Sequence, residues 1–283
     1  MRIDAHHHVW DLAVRDQPWT AGLPALRRSF TMDDLRPALR RNGVDATVVV
    51  QTVCVAEETP ELLALSAKDP DVAGVVGWVD LTAPDVADRL AGLLEAPGGE
   101  RLVGIRHQVQ EEPDPRWLCR PDVRRGLRAV AEAGLAYDLV VLPAQLDTVV
   151  ETVRALPEVR FVLDHAGKPP IARGALEPWA THVRGLAAEP RVAVKLSGLV
   201  TEADHAAWTV EDLRPYASTV LEAYGPGRTM AGSDWPVCLL AAGYDDVAAA
   251  TDALLAGASD DERDLVLGGA AARWYHLRTK ELS

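Results

Sequence analysis

Short apolar runs alternate along the chain with longer stretches of helical periodicity. The runs fall at 2–6, 46–51, 75–80, 102–107, 136–141, 160–164, 192–196 and 228–233. They are rich in β-branched residues and do not alternate apolar with polar, which is the pattern of strands covered on both faces. The segments between them predict helices at 84–94, 121–133, 144–156, 177–188 and 244–256, among others. Helix starts are legible too. Thr31 and Asp34 read as a capping box. Thr59 before Pro60 reads as an N-cap followed by proline at the first helical position. Thr209 precedes Glu211 and Asp212, which complement the helix dipole.

Eight strands, each followed by a helix, predict a single (β/α)8 TIM barrel over residues 1–283. A doubly wound open sheet is the competitor. The polar residues decide between them, because a barrel gathers its chemistry at the C-terminal ends of its strands. Those ends carry His6 and His8, Gln51, Asp80, Arg106 and His107, Asp164 and His165, Lys195, and Ser233 and Asp234.

Composition narrows the partners. A net charge of −13 repels phosphate backbones and anionic lipid, so neither nucleic acid nor a membrane is expected as a partner. Cys54, Cys119 and Cys238 are odd in number and lack metal-ligand spacing, which suits reduced thiols. With no signal-like apolar segment at the start, a cytoplasmic location is expected. Eight tryptophans stand against two phenylalanines. Trp10, Trp78 and Trp235 fall near strand ends, where a flat apolar face can stack on a sugar ring or simply pack.

Four groups carry candidate chemistry. His6 and His8 are two apart on a strand and project to one side, as a metal pair or as satisfied polar histidines. His7 faces the other way. Asp234, in Ser-Asp-Trp-Pro after the last strand, can ligate a metal or move a proton, or it caps a turn. His165 ends strand six at a Gly and Pro break. Arg106 offers a fork for a carboxylate or a polarised carbonyl, or makes a rim salt bridge.

Taken together, these groups converge only in a closed barrel. At this point the chain resembles the amidohydrolase superfamily, and more narrowly the amidohydrolase-2 group that includes sugar-acid and pyrone-dicarboxylate lactonases. The resemblance runs almost end to end. It lies in DAHHHVWD, Pro18-Trp19, VVVQ at 48–51, EET at 57–59, GVVGWVDL at 74–81, LVGIRHQVQEEPDPRWL at 102–118, LDHAGKP, KLSGL at 195–199 and GSDWPV at 232–237. The segment GIRHQVQEEPD is most similar to the fuconolactonase-like branch.

The resemblance implies a hydrolase that opens a sugar-acid lactone of the L-fuconolactone or L-rhamnonolactone type. Asp234, His165 and Arg106 would be catalytic. His6, His8 and Asp234 would hold one divalent cation, zinc before others. His107, Trp10, Trp78, Lys195 and Trp235 would contact the small-molecule lactone. Single-ion relatives present a further His on strand five, where this chain has Tyr137-Asp138. The group includes both metal-using enzymes and lactonases that need no ion, so a metal-free scheme stands beside the metal one. The rivals are a pyrone-dicarboxylate lactonase and a metal-dependent decarboxylase. A non-catalytic sugar-acid binder would need no base at the last strand.

Overall fold

The computed structural model describes residues 1–278. Eight parallel strands pair in chain order. They are β1 Ile3–His7, β2 Ala46–Val50, β3 Val72–Gly77, β4 Leu102–His107, β5 Ala136–Leu139, β6 Arg160–Leu163, β7 Val192–Leu196 and β8 Thr229–Ala231. Helices follow them outside: α1 Met32–Arg41, α2 Glu58–Ser66, α3 Val86–Glu95, α4 Pro121–Glu132, α5 Leu146–Ala155, α6 Trp179–Ala187, α7 Val210–Tyr224 and α8 Tyr244–Leu254. This is the (β/α)8 barrel expected from the alternation. No helix among the described residues is long and apolar enough to cross a membrane.

Two apolar cores result. One lies between strands and helices. The other fills the barrel with Ile3, Ala5, Val48, Val50, Val76, Ala136, Val162, Ala193 and Met230. The C-terminal segment shares this second core through Ala270, Tyr275 and Leu277, which plug the end of the barrel opposite the strand C-termini. Each strand pairs with its neighbours in register, which gives the buried backbone of the apolar runs hydrogen-bond partners.

Two local readings are corrected. β3 begins three residues earlier than its apolar run, so Trp78 and Asp80 lie in the loop beyond it. α2 starts at Glu58, not after Thr59. Thr59 is inside the helix because its hydroxyl bridges to Trp78, donating to the carbonyl at 2.9 Å and accepting the N–H at 2.7 Å. The boxes at Thr31–Asp34 and Thr209–Asp212 are both present.

β1 is irregular where the chemistry begins. Asp4 pairs with Thr47 and His7 with Val49, so three residues of β1 span two of β2. This bulge lets Ile3 and Ala5 join the inner core and then presents His6 and His8 above them.

The seam between β8 and β1 is closed differently from the others. Asp234 N–H donates to His6 O at 2.8 Å and His8 N–H to Trp235 O at 2.7 Å. Below them the buried Asp4 carboxylate accepts from Ser233 N at 2.8 Å, Ser233 Oγ at 2.6 Å and Tyr244 OH at 3.1 Å. Replacing Asp4→Ala strands these buried donors. It should cost about 3 kcal/mol, read as a fall in the urea midpoint. An unchanged midpoint would mean that the seam rests on its backbone bonds alone.

Candidate active site

The loops at the C-terminal strand ends enclose a cavity of about 230 Å³. His8, Arg106, His165 and Asp234 line it from the barrel side. Trp19, Thr52, Gln108, Gln110, Glu111, Lys168 and Glu202 line it from the loops. His6 lies fully buried beneath.

The backbone is strained here. His165, Ala166, Lys168 and Asp234 all take left-handed conformations, with φ of 54°, 50°, 53° and 58°. Such residues persist only where surrounding structure holds them, and they gather at functional sites. Gly198 explains part of that holding. Its own φ is +64°, and a Cβ there would lie 2.6 Å from His165 Nδ1 and 3.0 Å from Asp234 Oδ2. Only a glycine lets these two side chains approach across β7.

His6 Nε2 and His8 Nε2 are 3.2 Å apart. Asp234 Oδ1 is 3.8 Å from the first and 3.5 Å from the second. A tetrahedral ion with arms of about 2.0 Å has ligand atoms about 3.3 Å apart. The three atoms therefore match one divalent ion of zinc size. His8 also has the support such a ligand needs, because its Nδ1–H donates to Val50 O at 2.8 Å and leaves Nε2 bare. A second cluster, His6, Asp164 and His165, also brings three ligand atoms within 4.8 Å of one another. Its carboxylate is already engaged, with Arg106 Nη1 3.0 Å from Oδ2 and Lys195 Nζ 3.1 Å from Oδ1.

Charge is balanced below the cavity. Lys195 Nζ lies 2.6 Å from Asp138 Oδ2 and 3.1 Å from His6 Nδ1. Tyr275 OH donates to the same Asp138 oxygen at 2.6 Å. Arg106 also donates through Nη2 to Gln51 O at 2.5 Å and Gln51 Oε1 at 3.1 Å. Burial pushes Asp138 up to about 6 despite the opposing pull of Lys195. Asp138, on strand five, belongs to neither group of candidate ligands among the described residues. It is the counter-ion of Lys195.

Burial lowers His165 to about 4, so its imidazole is neutral at ordinary pH. Its Nδ1 sits 2.9 Å from Ser197 Oγ and 4.0 Å from Asp234 Oδ2. Burial pushes Asp234 up, but His165, His8 and Lys168 outweigh it and hold the carboxyl below its usual range. The result is an ionised carboxylate beside a neutral imidazole.

Several residues expected to meet a ligand lie elsewhere. Lys195 is wholly buried among its ion-pair partners and does not reach the cavity. Trp10 donates from Nε1 to Arg28 O at 2.7 Å and packs edge-on against Phe30. Trp235 packs on the other side of Phe30, with centroids 5.3 Å apart. Both rings serve the apolar core under the first loop. Trp78 Nε1–H donates to His107 Nδ1 at 3.0 Å, and His107 Nε2 faces Glu112 Oε1 at 2.7 Å. With Trp117 stacked 4.2 Å away, His107 clamps its own loop instead of lining the cavity.

The aromatic that does line the cavity is Trp19. It was visible only as half of a Pro-Trp pair. Lys168 sits in the DHAGKP motif and the two glutamines in QVQEE, so motif membership was the signal for them. Glu202 and Thr52 had no signal in the sequence.

Comparison with known proteins places this arrangement. Residues 3–277 match the family described as amidohydrolase. A Burkholderia multivorans protein named L-fucono-1,5-lactonase is 40% identical over 98% of this chain and 96% of its own length. A Burkholderia ambifaria protein of the same name is 39% identical over the same shares. A crystal structure of an amidohydrolase from Burkholderia multivorans with bound zinc superposes with a TM-score of 0.93 at 39% identity, covering 98% of this chain and all of the other. The barrel, the convergence of His6, His8, His165 and Asp234 at its mouth, and this match over nearly the whole length make the chain a member of the amidohydrolase family.

Proposed function

We propose that the protein hydrolyses the ring ester of a neutral sugar-acid lactone, of the L-fuconolactone or L-rhamnonolactone type, with Asp234 as the proton carrier. The observation that carries this reading is the Asp234 carboxylate 4.0 Å from the His165 ring at the floor of a small polar cavity, with the carboxyl held below its usual range by its neighbours. The lactonase names of the two Burkholderia relatives support the substrate class.

Asp234 accepts a proton from water as the water oxygen attacks the lactone carbonyl. Arg106 and His165 stabilise the charge that grows on the carbonyl oxygen. The ring C–O bond then breaks, and Asp234 returns its proton to the departing ring oxygen. The new carboxylic acid releases a proton to solvent. Trp19 offers an apolar face to the ring, while Gln108, Gln110 and Glu202 supply hydrogen-bond partners for hydroxyl groups. A zinc or similar ion held by His6, His8 and Asp234 would add Lewis acidity towards the carbonyl or the water. The steps drawn from the chain's own residues do not depend on it.

Charge at the rim argues against a pyrone dicarboxylate. Such a substrate brings two negative groups, yet Glu111 and Glu202 line the cavity beside Asp234. The one lysine on the cavity lining, Lys168, already faces Glu202 at 3.8 Å.

A lactone panel followed by proton release tests the class. L-fuconolactone and L-rhamnonolactone should be opened, a pyrone dicarboxylate left intact, and aromatic carboxylates should yield no carbon dioxide. Opening of the pyrone alone would move the protein to the other branch. Asp234→Asn should lower turnover by roughly 10²–10⁴-fold while a substrate analogue still binds. Near-normal turnover in that variant would remove Asp234 from the mechanism. Chelator treatment should slow the enzyme without abolishing activity, and added zinc should restore the rate. Complete loss on chelation would leave the metal-free scheme without support.

A further inference from the structure

The Glu-Glu-Thr run at 57–59 has no task in the proposed reaction, yet Glu58 is only 5% exposed. Both oxygens of its carboxylate accept N–H groups from the loop after β2. Thr52 N lies 2.9 Å from Oε1 and 3.0 Å from Oε2, and Val53 N lies 3.0 Å from Oε2. Thr52 Oγ1 donates to Oε1 as well. These donors are all neutral, and burying a carboxylate among neutral donors is costly. What the arrangement secures lies on the other side of the loop.

The Thr52 carbonyl and the Val53 N–H belong to one trans peptide, so they point in opposite directions. Holding the N–H on Glu58 therefore aims the carbonyl away from Glu58, where it accepts from Gln108 Nε2 at 2.6 Å. That bond needs the NH2 group of Gln108, which turns Gln108 Oε1 towards Gln110. Gln110 Nε2 donates to this oxygen at 3.4 Å. Gln110 Oε1 is then left over. It is buried and has no hydrogen bond among the described residues. Reversing either amide would set oxygen against oxygen, so the sense of each bond follows from the carboxylate at the far end. Thr52, Gln108 and Gln110 all line the cavity.

We propose that Glu58 is a positioning residue that fixes the hydrogen-bond sense of Gln108 and Gln110, so that this wall of the cavity ends on an acceptor, Gln110 Oε1, for a hydroxyl of the ligand. The inference rests on the reading of that ligand as a hydroxylated lactone. A hydroxyl group can donate to the waiting oxygen, whereas a ring lacking hydroxyls gains nothing from it. Glu58 acts only through the 52–53 peptide and the two glutamines. Its loss therefore weakens recognition of hydroxyl groups and leaves the chemical step at Asp234 as it was.

Steady-state kinetics on two lactones separate this role from a merely structural one. Glu58→Gln sets an NH2 group against the N–H groups of the loop. The KM for L-fuconolactone should rise roughly 3–10-fold, the worth of one neutral hydrogen bond, with kcat changed by less than about twofold. δ-Valerolactone carries the ring ester without hydroxyls and should keep its kcat/KM. Gln110→Leu should reproduce the rise in KM, and the double variant Glu58→Gln/Gln110→Leu should add nothing to it. Equal losses on both lactones, or additive effects in the double variant, would overturn the proposal. Side-chain amide resonances of ¹⁵N-glutamine-labelled protein, assigned with Gln108→Leu, test the positioning without turnover. In the parent, one Gln108 NH2 proton should be strongly deshielded by its bond to Thr52 O, and in Glu58→Gln it should move to the position of a solvated amide. A solvent-like Gln108 amide in the parent would overturn the proposal with no variant at Glu58 required to fold. A parent that opens neither lactone would count against the lactonase reading alone, and the Gln108 resonance would then decide the role of Glu58.

Discussion

Four charges buried beneath one histidine constrain everything above them. Lys195 and Arg106 meet Asp138 and Asp164 inside the barrel, where an unpaired ion would cost on the order of several kcal/mol. Neutrality is reached only if all four hold their places. Arg106 then points its fork between Gln51 and Asp164, and His6 sits with Nδ1 beside Lys195 Nζ and Asp164 Oδ1. The reactive carboxylate, Asp234, thus rests on a floor whose geometry is set by charge pairing more than by packing.

The seam between β8 and β1 brings the last piece of the site to the first. Asp234 and the two histidines belong to opposite ends of the chain. They meet because backbone bonds from Asp234 to His6 and from His8 to Trp235 close the barrel at the mouth itself. The same seam therefore serves stability and chemistry. Left-handed backbone at His165 and Asp234, with the bare Cα of Gly198 between them, shows strain concentrated where the side chains must converge.

The loops divide their labour. The aromatic residues Trp10, Trp235 and Phe30 anchor the loop after β1, and Trp78, His107 and Trp117 stiffen the loop after β4. Neither cluster lines the cavity. They hold the segments whose smaller polar residues do, including Gln108, Gln110 and Thr52. A side chain beside the site in sequence can thus be one shell away from it in space.

The alternation of apolar runs and helical periods determined eight strand–helix units, because buried parallel strands and amphipathic helices leave different repeats, and the polar residues at the strand ends chose the barrel over an open sheet. It also brought out His6, His8, His165 and Asp234, since strand ends in this fold share one mouth. Tertiary structure alone decided the rest. The bulge in β1 depends on pairing with β2, and no local pattern marks it. Lys195 read as a rim residue because a strand-end lysine looks the same whether solvent or two carboxylates await it, and those partners lie 57 and 31 positions away in the chain. The tryptophans were ambiguous for a like reason: a ring that suits a sugar also suits a core, and only its neighbours choose. Short-range sequence determines backbone periodicity. Which buried charges neutralise each other is settled by distance in space, which the chain order does not encode.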